Sequence, residues 1–358
     1  MTGTLVFPSS VAAALDYVRD ATNRGEQLVG ASSLLNDENA ASFPIWEHLP
    51  PIHDASFPAA VSDLVARHRL THVYAPVTAV HAALTALIND GHLPLRMVRP
   101  NPVAEQAEAV RRSLKRAETL HGFMEEILVD EPARQRLLSL LTAAAVLRHA
   151  NSLYGESSDV KLAAMLAVAA SVPQGDVVEI GTLMGKSASV LILSARLYNI
   201  GKVLTIDPWT PAQALQADSP QLIQDLAGLW DFDMLVNGYY LNTLPISAGC
   251  SNHLRLTSED GFAAYVQNRR VESPELGCTD YSGRIALLHI DGNHDLAAVQ
   301  KDWDNWGSRM LPGGWVIFDD YTWIHGTGPR TVGDQVLAQS EAWRRSFVCG
   351  GALFVQVA

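Results

Sequence analysis

Hydrophobic positions near the N-terminus fall into short apolar runs separated by longer segments with helical spacing. The pattern predicts three strands and two helices: Thr4 to Phe7, Val11 to Asn23, Gln27 to Val29, Phe57 to His68 and Thr71 to Tyr74. Strands that alternate with helices of this length predict parallel pairing. We therefore expect residues 1–100 to form a small Rossmann-like α/β domain. Its role would be substrate binding, oligomerisation or structural support.

The next segment, residues 101–155, is rich in good helix formers. Leu, Ala, Arg and Glu predominate between Ala104 and Tyr154. We interpret this stretch as a helical connector whose charged residues form a solvated face.

A second alternation of strands and helices fills residues 156–358. Asp176 to Ile180 is an apolar strand, and a turn with Gly181 and Gly185 leads from it into a helix of small residues. A further strand from Lys202 ends at Asp207. This order is typical of a Rossmann-like sheet that binds a cofactor at the carboxyl ends of its strands.

The glycine turn is the first candidate binding site. Glycines at a helix N-terminus let a ligand approach the bare backbone. Asp207, about two dozen residues further on, either accepts hydrogen bonds from the ribose hydroxyls of a nucleoside or caps a helix. The cofactor-binding residues predicted here are Glu179, Gly181, Thr182, Gly185, Ser187 and Asp207.

Two features of the turn bear on the identity of the cofactor. A dinucleotide site favours three glycines, and this turn has two. Glu179, just before Gly181, suits a cationic ligand end better than a pyrophosphate, because opposite charges attract strongly where water is partly excluded. The amino group and sulfonium of S-adenosyl-L-methionine (SAM) provide such an end.

The C-terminus predicts an antiparallel hairpin. Trp343 to Cys349 and Ala352 to Val357 read as strands joined by Gly350 and Gly351.

Two other apolar strands end in acidic residues. Asp291 follows the run from Arg284, and Asp319 and Asp320 follow the run from Gly313. Neighbouring parallel strands bring such ends together, and a divalent cation would relieve the repulsion between the carboxylates. Oxygen ligands favour Mg²⁺ or another hard cation. The alternative is that these acids cap helices or bind loop backbone.

His294 lies in the loop after Asp291. Because its pKa lies near neutrality, its imidazole is our candidate general base for taking a proton from a hydroxyl that is being methylated. The alternative is a structural loop histidine.

The glycine turn, the acidic strand ends and the C-terminal hairpin together resemble class I SAM-dependent methyltransferases. These enzymes append a reversed strand to a parallel seven-stranded sheet, whereas NAD-binding Rossmann domains do not. From about Val160 to Ala358 the chain is similar to metal-dependent O-methyltransferases of natural-product pathways, chiefly the macrolide-sugar type and more distantly the caffeoyl-CoA type. The N-terminal domain has no clear counterpart in the single-domain members.

The resemblance implies roles for particular residues. Asp291, Asp319 and Asp320 would bind the metal, and His294 would be the base. The run from Leu254 to Thr257 is strand-like, and Ser258 and Glu259, which follow it, would contact the adenine. Asp291 would also lie beside the cofactor.

Two aromatic segments complete the predicted site. Trp209 to Asn252 forms either a lid or pocket wall, or part of the core. Trp323, His325 and Arg330, in the loop after Asp320, face either the substrate or the solvent.

Charge and composition narrow the partners. The formal net charge of −12 argues against a general nucleic-acid surface, so a small-molecule substrate is expected. Neither a secretory signal nor an apolar run long enough for a membrane is visible, and the three cysteines are odd in number and widely spaced, which fits reduced thiols better than a disulfide framework. We expect reduced thiols, a cytoplasmic location and a homo-oligomer.

The leading hypothesis is metal-assisted O-methylation of a small hydroxylated natural product or sugar, with SAM as the methyl donor. Three alternatives remain open at this stage. They are N-methylation of a small molecule, an NAD-linked oxidoreductase, and a noncatalytic assembly subunit with an inactive cofactor fold.

Overall fold

A computed structural model of the chain describes residues 3–216, 221, 224–225 and 228–358. The chain divides into two compact units, Met1–Arg112 and Ser113–Ala358. The division falls inside a long helix, Pro102–Ile127. The domain boundaries at residues 100 and 155 stay predictions.

The first unit contains a five-stranded sheet and three helices that precede the long helix. The strands are β1 (Gly3–Val6), β2 (Gln27–Ser32), β3 (Ile45–His48), β4 (His72–Tyr74) and β5 (Arg96–Met97). The helices are α1 (Ala12–Asn23), α2 (Phe57–His68) and α3 (Thr78–Asn89). Each pair of neighbouring strands is parallel, in the order β3-β2-β1-β4-β5. The parallel α/β architecture predicted for this part of the chain is present.

Both faces of this sheet are buried. Leu5 packs into one apolar cluster and its neighbour Val6 into another, because successive side chains of a strand point to opposite faces. The first cluster includes Val61 and Leu64 of α2, and the second includes Tyr17 of α1. Helices on both sides of the sheet therefore supply the core.

The second unit contains the remaining helices and strands. Its helices are α4 (Pro102–Ile127, counted from Ser113), α5 (Leu140–Asn151), α6 (Asp159–Ala169), α7 (Lys186–Tyr198), α8 (Pro211–Ala214), α9 (Phe232–Ser247), α10 (Ser258–Asn268), α11 (Leu296–Trp306) and α12 (Gly328–Ala338). Its strands are β6 (Asp176–Ile180), β7 (Val203–Ile206), β8 (Ser251–Leu254), β9 (Arg270–Ser273), β10 (Gly277–Asp280), β11 (Ile285–Ile290), β12 (Met310–Phe318), β13 (Trp343–Cys349) and β14 (Ala352–Val357).

Seven of these strands form one sheet in the order β13-β14-β12-β11-β6-β7-β8. Strands β12, β11, β6, β7 and β8 pair in parallel. Strand β14 is antiparallel to both β12 and β13, as the C-terminal hairpin predicted. A parallel sheet with one reversed strand next to its edge confirms the seven-stranded, Rossmann-like methyltransferase fold.

Side chains on the two faces of this sheet build two cores. Val177 and Leu287 point toward the cluster that includes α5, α6 and α7. Val178 and Leu288 point toward the cluster that includes α10, α11 and α12. This burial on both sides explains why β6 and β11 read as continuous apolar runs.

The structure adds elements that the apolar pattern did not predict and shifts one boundary. Strands β3, β5, β9 and β10 were missed because they are short and carry polar residues. Leu254 was predicted to begin a strand, but it is the last residue of β8. The reason is local, since the Thr257 side chain accepts a hydrogen bond from the amide of Asp260 and starts α10.

The segment predicted as a helical connector contains α4, α5 and a short 3-10 turn, Pro132–Arg136. From Ser113 onward its apolar side chains, among them Leu120 and Met124, pack into the core of the second unit.

Within the described part of the chain, no helix is both long and apolar enough to cross a bilayer. Cys250, Cys278 and Cys349 are free thiols.

Candidate active site

The turn after β6 depends on glycine at two positions. Gly181 has φ +78° and Gly185 has φ +86°, in the left-handed region that glycine tolerates best. A Cβ on Gly181 would overlap the carbonyl oxygen of Asp291, so only glycine lets the β6 and β11 loops meet. Gly185 precedes α7 and supplies no capping side chain. The first N–H groups of α7 are therefore available to a ligand.

Asp207 shapes this turn. Its carboxylate accepts hydrogen bonds from the amides of Thr182 (3.0 Å), Leu183 (3.1 Å) and Trp209 (2.9 Å). Burial raises the pKa of Asp207, although these hydrogen bonds oppose the shift. These hydrogen bonds hold the turn in place. Asp207 also lines the cavity described next, where the sequence predicted a contact with the ribose.

A cavity of about 760 Å³ opens at the carboxyl ends of the strands. It is large enough for a nucleoside cofactor and a small substrate. The predicted cofactor, metal and base residues line it except for Glu179 and Gly185: Gly181, Thr182, Ser187, Asp207, Ser258, Glu259, Asp291, His294, Asp319 and Asp320. Of the predicted residues in the loop after Asp320, Trp323 lines it, whereas His325 and Arg330 do not. The Oγ1 atom of Thr182 is buried and has no hydrogen-bond partner. Such an unsatisfied atom fits a site that a polar ligand completes.

Glu179 does not face the cavity as predicted. Its fully buried carboxylate is 2.9 Å from Nδ1 of His289 on β11, and its second oxygen has no partner. Burial lowers the pKa of His289, but the nearby Asp319 and the hydrogen bond with Glu179 outweigh burial and raise it to about 9. With a pKa of about 9, the buried imidazole of His289 is a cation near pH 7.

Lys161, on α6, is the other cation at this end of the cavity. Its ammonium group contacts Asp319 and lies 3.9 Å from Asp291. Burial lowers the pKa of Lys161, but Asp291 and Asp319 outweigh it and the net shift is upward. Burial and the charge of Asp319 raise the pKa of Asp291. For Asp319, His289 and Lys161 outweigh burial and lower the pKa.

His294 and Asp320 form the outer side of the acidic cluster. Nδ1 of His294 lies 3.6 Å from Asp320 and 3.4 Å from the amide of Gln216. Nε2 is buried without a hydrogen-bond partner. Burial lowers the pKa of His294, so its imidazole is neutral near pH 7. Asp320 adopts φ +51°, a strained conformation for a residue with a side chain.

Among the described residues, two overlapping groups could hold a metal ion. One comprises His289, Asp291 and Asp319, and the other comprises Asp291, His294 and Asp320. Neither group is the predicted set of Asp291, Asp319 and Asp320, which the structure divides between them. The outer group fits a divalent cation better, because the side chains of Asp291 and Asp320 are 25% and 39% exposed and can supply oxygen ligands.

The opposite end of the cavity contains the predicted adenine contacts. Oγ of Ser258 accepts a hydrogen bond of 3.0 Å from Nε1 of the buried Trp306. Glu259 forms an ion pair of 3.0 Å with Lys301. These partners hold the start of α10 against α11, and both predicted side chains line the cavity.

Aromatic residues form part of the remaining wall. Trp230 and Trp323 line the cavity, and the Trp323 ring lies 5.4 Å from that of His294. Trp209 also lines it, but is buried against Tyr239 and His253. The predicted segment from Trp209 to Asn252 thus contributes both wall and core, and residues 217–220, 222–223 and 226–227 of it lie outside the described residues.

Sequence reasoning missed Lys161 and His289. A signal for Lys161 exists, since a single cation precedes eight consecutive apolar residues, Leu162–Ala169. A buried cation must have an acidic partner. His289 carries a weaker signal, a polar residue inside the apolar run of β11.

Comparison with known proteins identifies a methyltransferase domain in the second unit. Residues 178–321 match the family model described as "Methyltransferase domain". This range runs from β6 through the loop after β12 and includes the glycine turn and the acidic cluster. The predicted class, a SAM-dependent methyltransferase, is confirmed. No curated protein matches the chain.

Similar solved structures include the O-methyltransferase NovP, with 15% identity, a TM-score of 0.41, and coverage of 56% of this chain and 82% of that one. The calicheamicin methyltransferase CalS11 has 14% identity, a TM-score of 0.40, and coverage of 67% and 91%. MycE methyltransferase from the mycinamycin pathway, in complex with Mg, SAH and mycinamycin VI, has 12% identity, a TM-score of 0.31, and coverage of 52% and 45%. These similarities are too low to transfer a ligand or a substrate.

Proposed function

We propose that this enzyme transfers the methyl group of SAM to a hydroxyl of a small molecule, with His294 as the general base. The observation that carries the proposal is the unsatisfied Nε2 of His294 in the same cavity as the glycine turn. A neutral imidazole beside carboxylates can accept a proton and is stabilised once it is charged.

The residues around the glycine turn would hold the cofactor. Thr182 and Asp207 line the cavity near the start of α7, and Ser258 and Glu259, which also line it, would contact the adenine. Asp291 and Asp320, the carboxylates nearest to His294, would supply oxygen ligands for Mg²⁺ or a similar cation. When bound, SAM supplies a methyl group on a sulfonium centre, and the cation lowers the pKa of a nearby hydroxyl.

The step that the chain itself performs is proton transfer. His294 takes the proton of the hydroxyl as its oxygen forms a bond to the methyl carbon, and the carbon–sulfur bond breaks with its electrons left on sulfur. Asp320, 3.6 Å from Nδ1, stabilises the resulting imidazolium. Trp323 and Trp230 help exclude water from the acceptor side.

The proposal is tested with radiolabelled SAM, Mg²⁺ and a panel of small sugars and polyhydroxylated aromatics. We expect label in a methyl ether, and we expect His294→Ala to slow transfer by about 10²- to 10⁴-fold without loss of SAH binding. His325→Ala is the matched control, because His325 is exposed and lies in the nearby loop. Unchanged transfer by His294→Ala, or label only on amine nitrogen, would contradict the assignment.

Several expectations stay predictions. A natural-product or sugar acceptor, a homo-oligomer and a cytoplasmic location are drawn from the sequence and its resemblance. For the first unit we propose a role in binding the acceptor or in oligomerisation.

A further inference from the structure

Lys161 has an unusual position for a lysine. It lies in the first turn of α6, and every residue from Leu162 to Ala169 is buried and apolar. Its own side chain is 4% exposed. Removing an ammonium group from water is costly unless a counter-charge compensates, so its neighbours must supply that charge.

The compensating charges come from the predicted metal ligands. Lys161 contacts Asp319, whose side chain is 7% exposed, and lies 3.9 Å from Asp291. His289 approaches the same two carboxylates at 3.7 and 3.9 Å. The ammonium group of Lys161 therefore brings positive charge from the chain itself to the inner part of the acidic cluster.

The C-terminal hairpin fixes the backbone of Lys161. A Cβ on Gly350 would lie 2.7 Å from Cβ of Lys161 and 2.9 Å from its amide nitrogen. The Cys349 thiol donates a hydrogen bond of 3.5 Å to the carbonyl of Val160, and Ser158 caps the helix by accepting one from the Lys161 amide. This close packing leaves the start of α6 little freedom to move the ammonium away from Asp319.

We propose that Lys161 is a built-in cation of the active site, which occupies the inner acidic group and confines a divalent cation to the outer carboxylates, Asp291 and Asp320. This inference rests on the proposed function and deepens it. Lys161 acts as a positioning residue, because it touches Asp319 and Asp291 rather than the reacting atoms. Asp319 stays in an ion pair with Lys161, so the more exposed carboxylates of Asp291 and Asp320 remain available to bind the metal.

Mn²⁺ binding measured by electron paramagnetic resonance tests the inference without any methyl acceptor. Lys161→Met removes the internal charge, so we expect the Mn²⁺ dissociation constant to fall roughly tenfold or more. We also expect the variant to have a lower Tm than wild type in EDTA and to recover much of the loss in Mn²⁺. Lys115→Met, which removes an exposed ammonium from α4, should match wild type in both measurements.

The double variant K161M/D319N separates the two carboxylate groups. It removes both partners of the internal ion pair, and the outer group should still bind Mn²⁺ with wild-type affinity. Loss of Mn²⁺ binding in this variant would show that Asp319 is a required ligand and would overturn the inference. Unchanged or weaker Mn²⁺ binding by Lys161→Met would also overturn it. If Lys161→Met does not fold even in Mn²⁺, the double variant decides.

Parallel titration with SAH keeps this inference distinct from the proposed function. A wild-type protein that binds SAH but no Mn²⁺ would contradict both metal assistance and the confinement of a cation to the outer carboxylates. A wild-type protein that does not bind SAH would contradict the proposed function alone.

Discussion

The carboxylates at the acidic end of the cavity differ in their partners. Asp319 pairs with Lys161 and approaches His289, Asp291 lies between the inner and outer groups, and Asp320 faces His294. Burial raises the pKa of Asp291 and Asp320, whereas at Asp319 the partners His289 and Lys161 outweigh burial and lower the pKa. Neighbouring acids in one cavity therefore differ in how readily they bind a proton, which suits them to different roles.

The sequence predicted these acids and His294, because each follows an apolar strand and strand ends meet at one edge of a parallel sheet. It did not predict that Lys161 reaches Asp319 across 158 residues of chain. It also assigned Glu179 to the ligand, whereas the structure pairs this residue with His289. Both differences arise from side-chain partners on distant elements, which local patterns do not encode.

Asp302, on α11, gives a prediction for stability against pH. Burial raises its pKa to about 7, against about 3.9 for an unfolded aspartate. The folded state binds this proton more tightly, so Asp302 costs stability as the pH rises from about 4 to about 7. Asp302→Asn removes this cost, and its advantage over wild type should grow across that window by up to about 4 kcal/mol and then level off.

Urea unfolding at several pH values measures this difference. Asp304→Asn is the matched control, because Asp304 is exposed on the same helix. A difference between wild type and Asp302→Asn that stays constant with pH would show that Asp302 titrates normally.

Among the elements, the glycine turn between β6 and α7 has the strictest geometric requirement. Its backbone is held by Asp207 and approached by the β11 loop at Gly181. The strands around it were predicted well, because burial on both faces makes them continuously apolar. Strands β3 and β5 were missed, since an edge position and a short length leave no such pattern.

Gly181→Ala tests the geometry of this turn. The new methyl group meets the carbonyl of Asp291 at φ +78°, so we expect a loss of at least about 2 kcal/mol in the free energy of unfolding. We also expect SAH binding to be lost. Gly122→Ala is the control, because it lies inside α4 with nothing near its Cβ and should be neutral or stabilising by up to about 1 kcal/mol. Normal SAH affinity in Gly181→Ala would contradict the close approach.

At the scale of the whole chain, each unit has its own parallel-rich sheet and buries both faces of it. The complete candidate site, from Ser258 to Lys161, lies in the second unit. The net charge of −12 agrees with a small-molecule substrate. The first unit adds a second α/β sheet, and the residues that line the candidate site lie outside this unit.

The most direct test of the account is calorimetric titration of the full chain with SAH, and separately with NADH, in the presence of Mg²⁺. We expect one SAH to bind per chain and no heat from NADH. A hundredfold excess of SAH over its Kd should stabilise the protein by about 2.7 kcal/mol and raise its Tm by about 2–4 °C. Binding of NADH without binding of SAH would contradict the central claim that the glycine turn and the acidic cluster form a methyltransferase site.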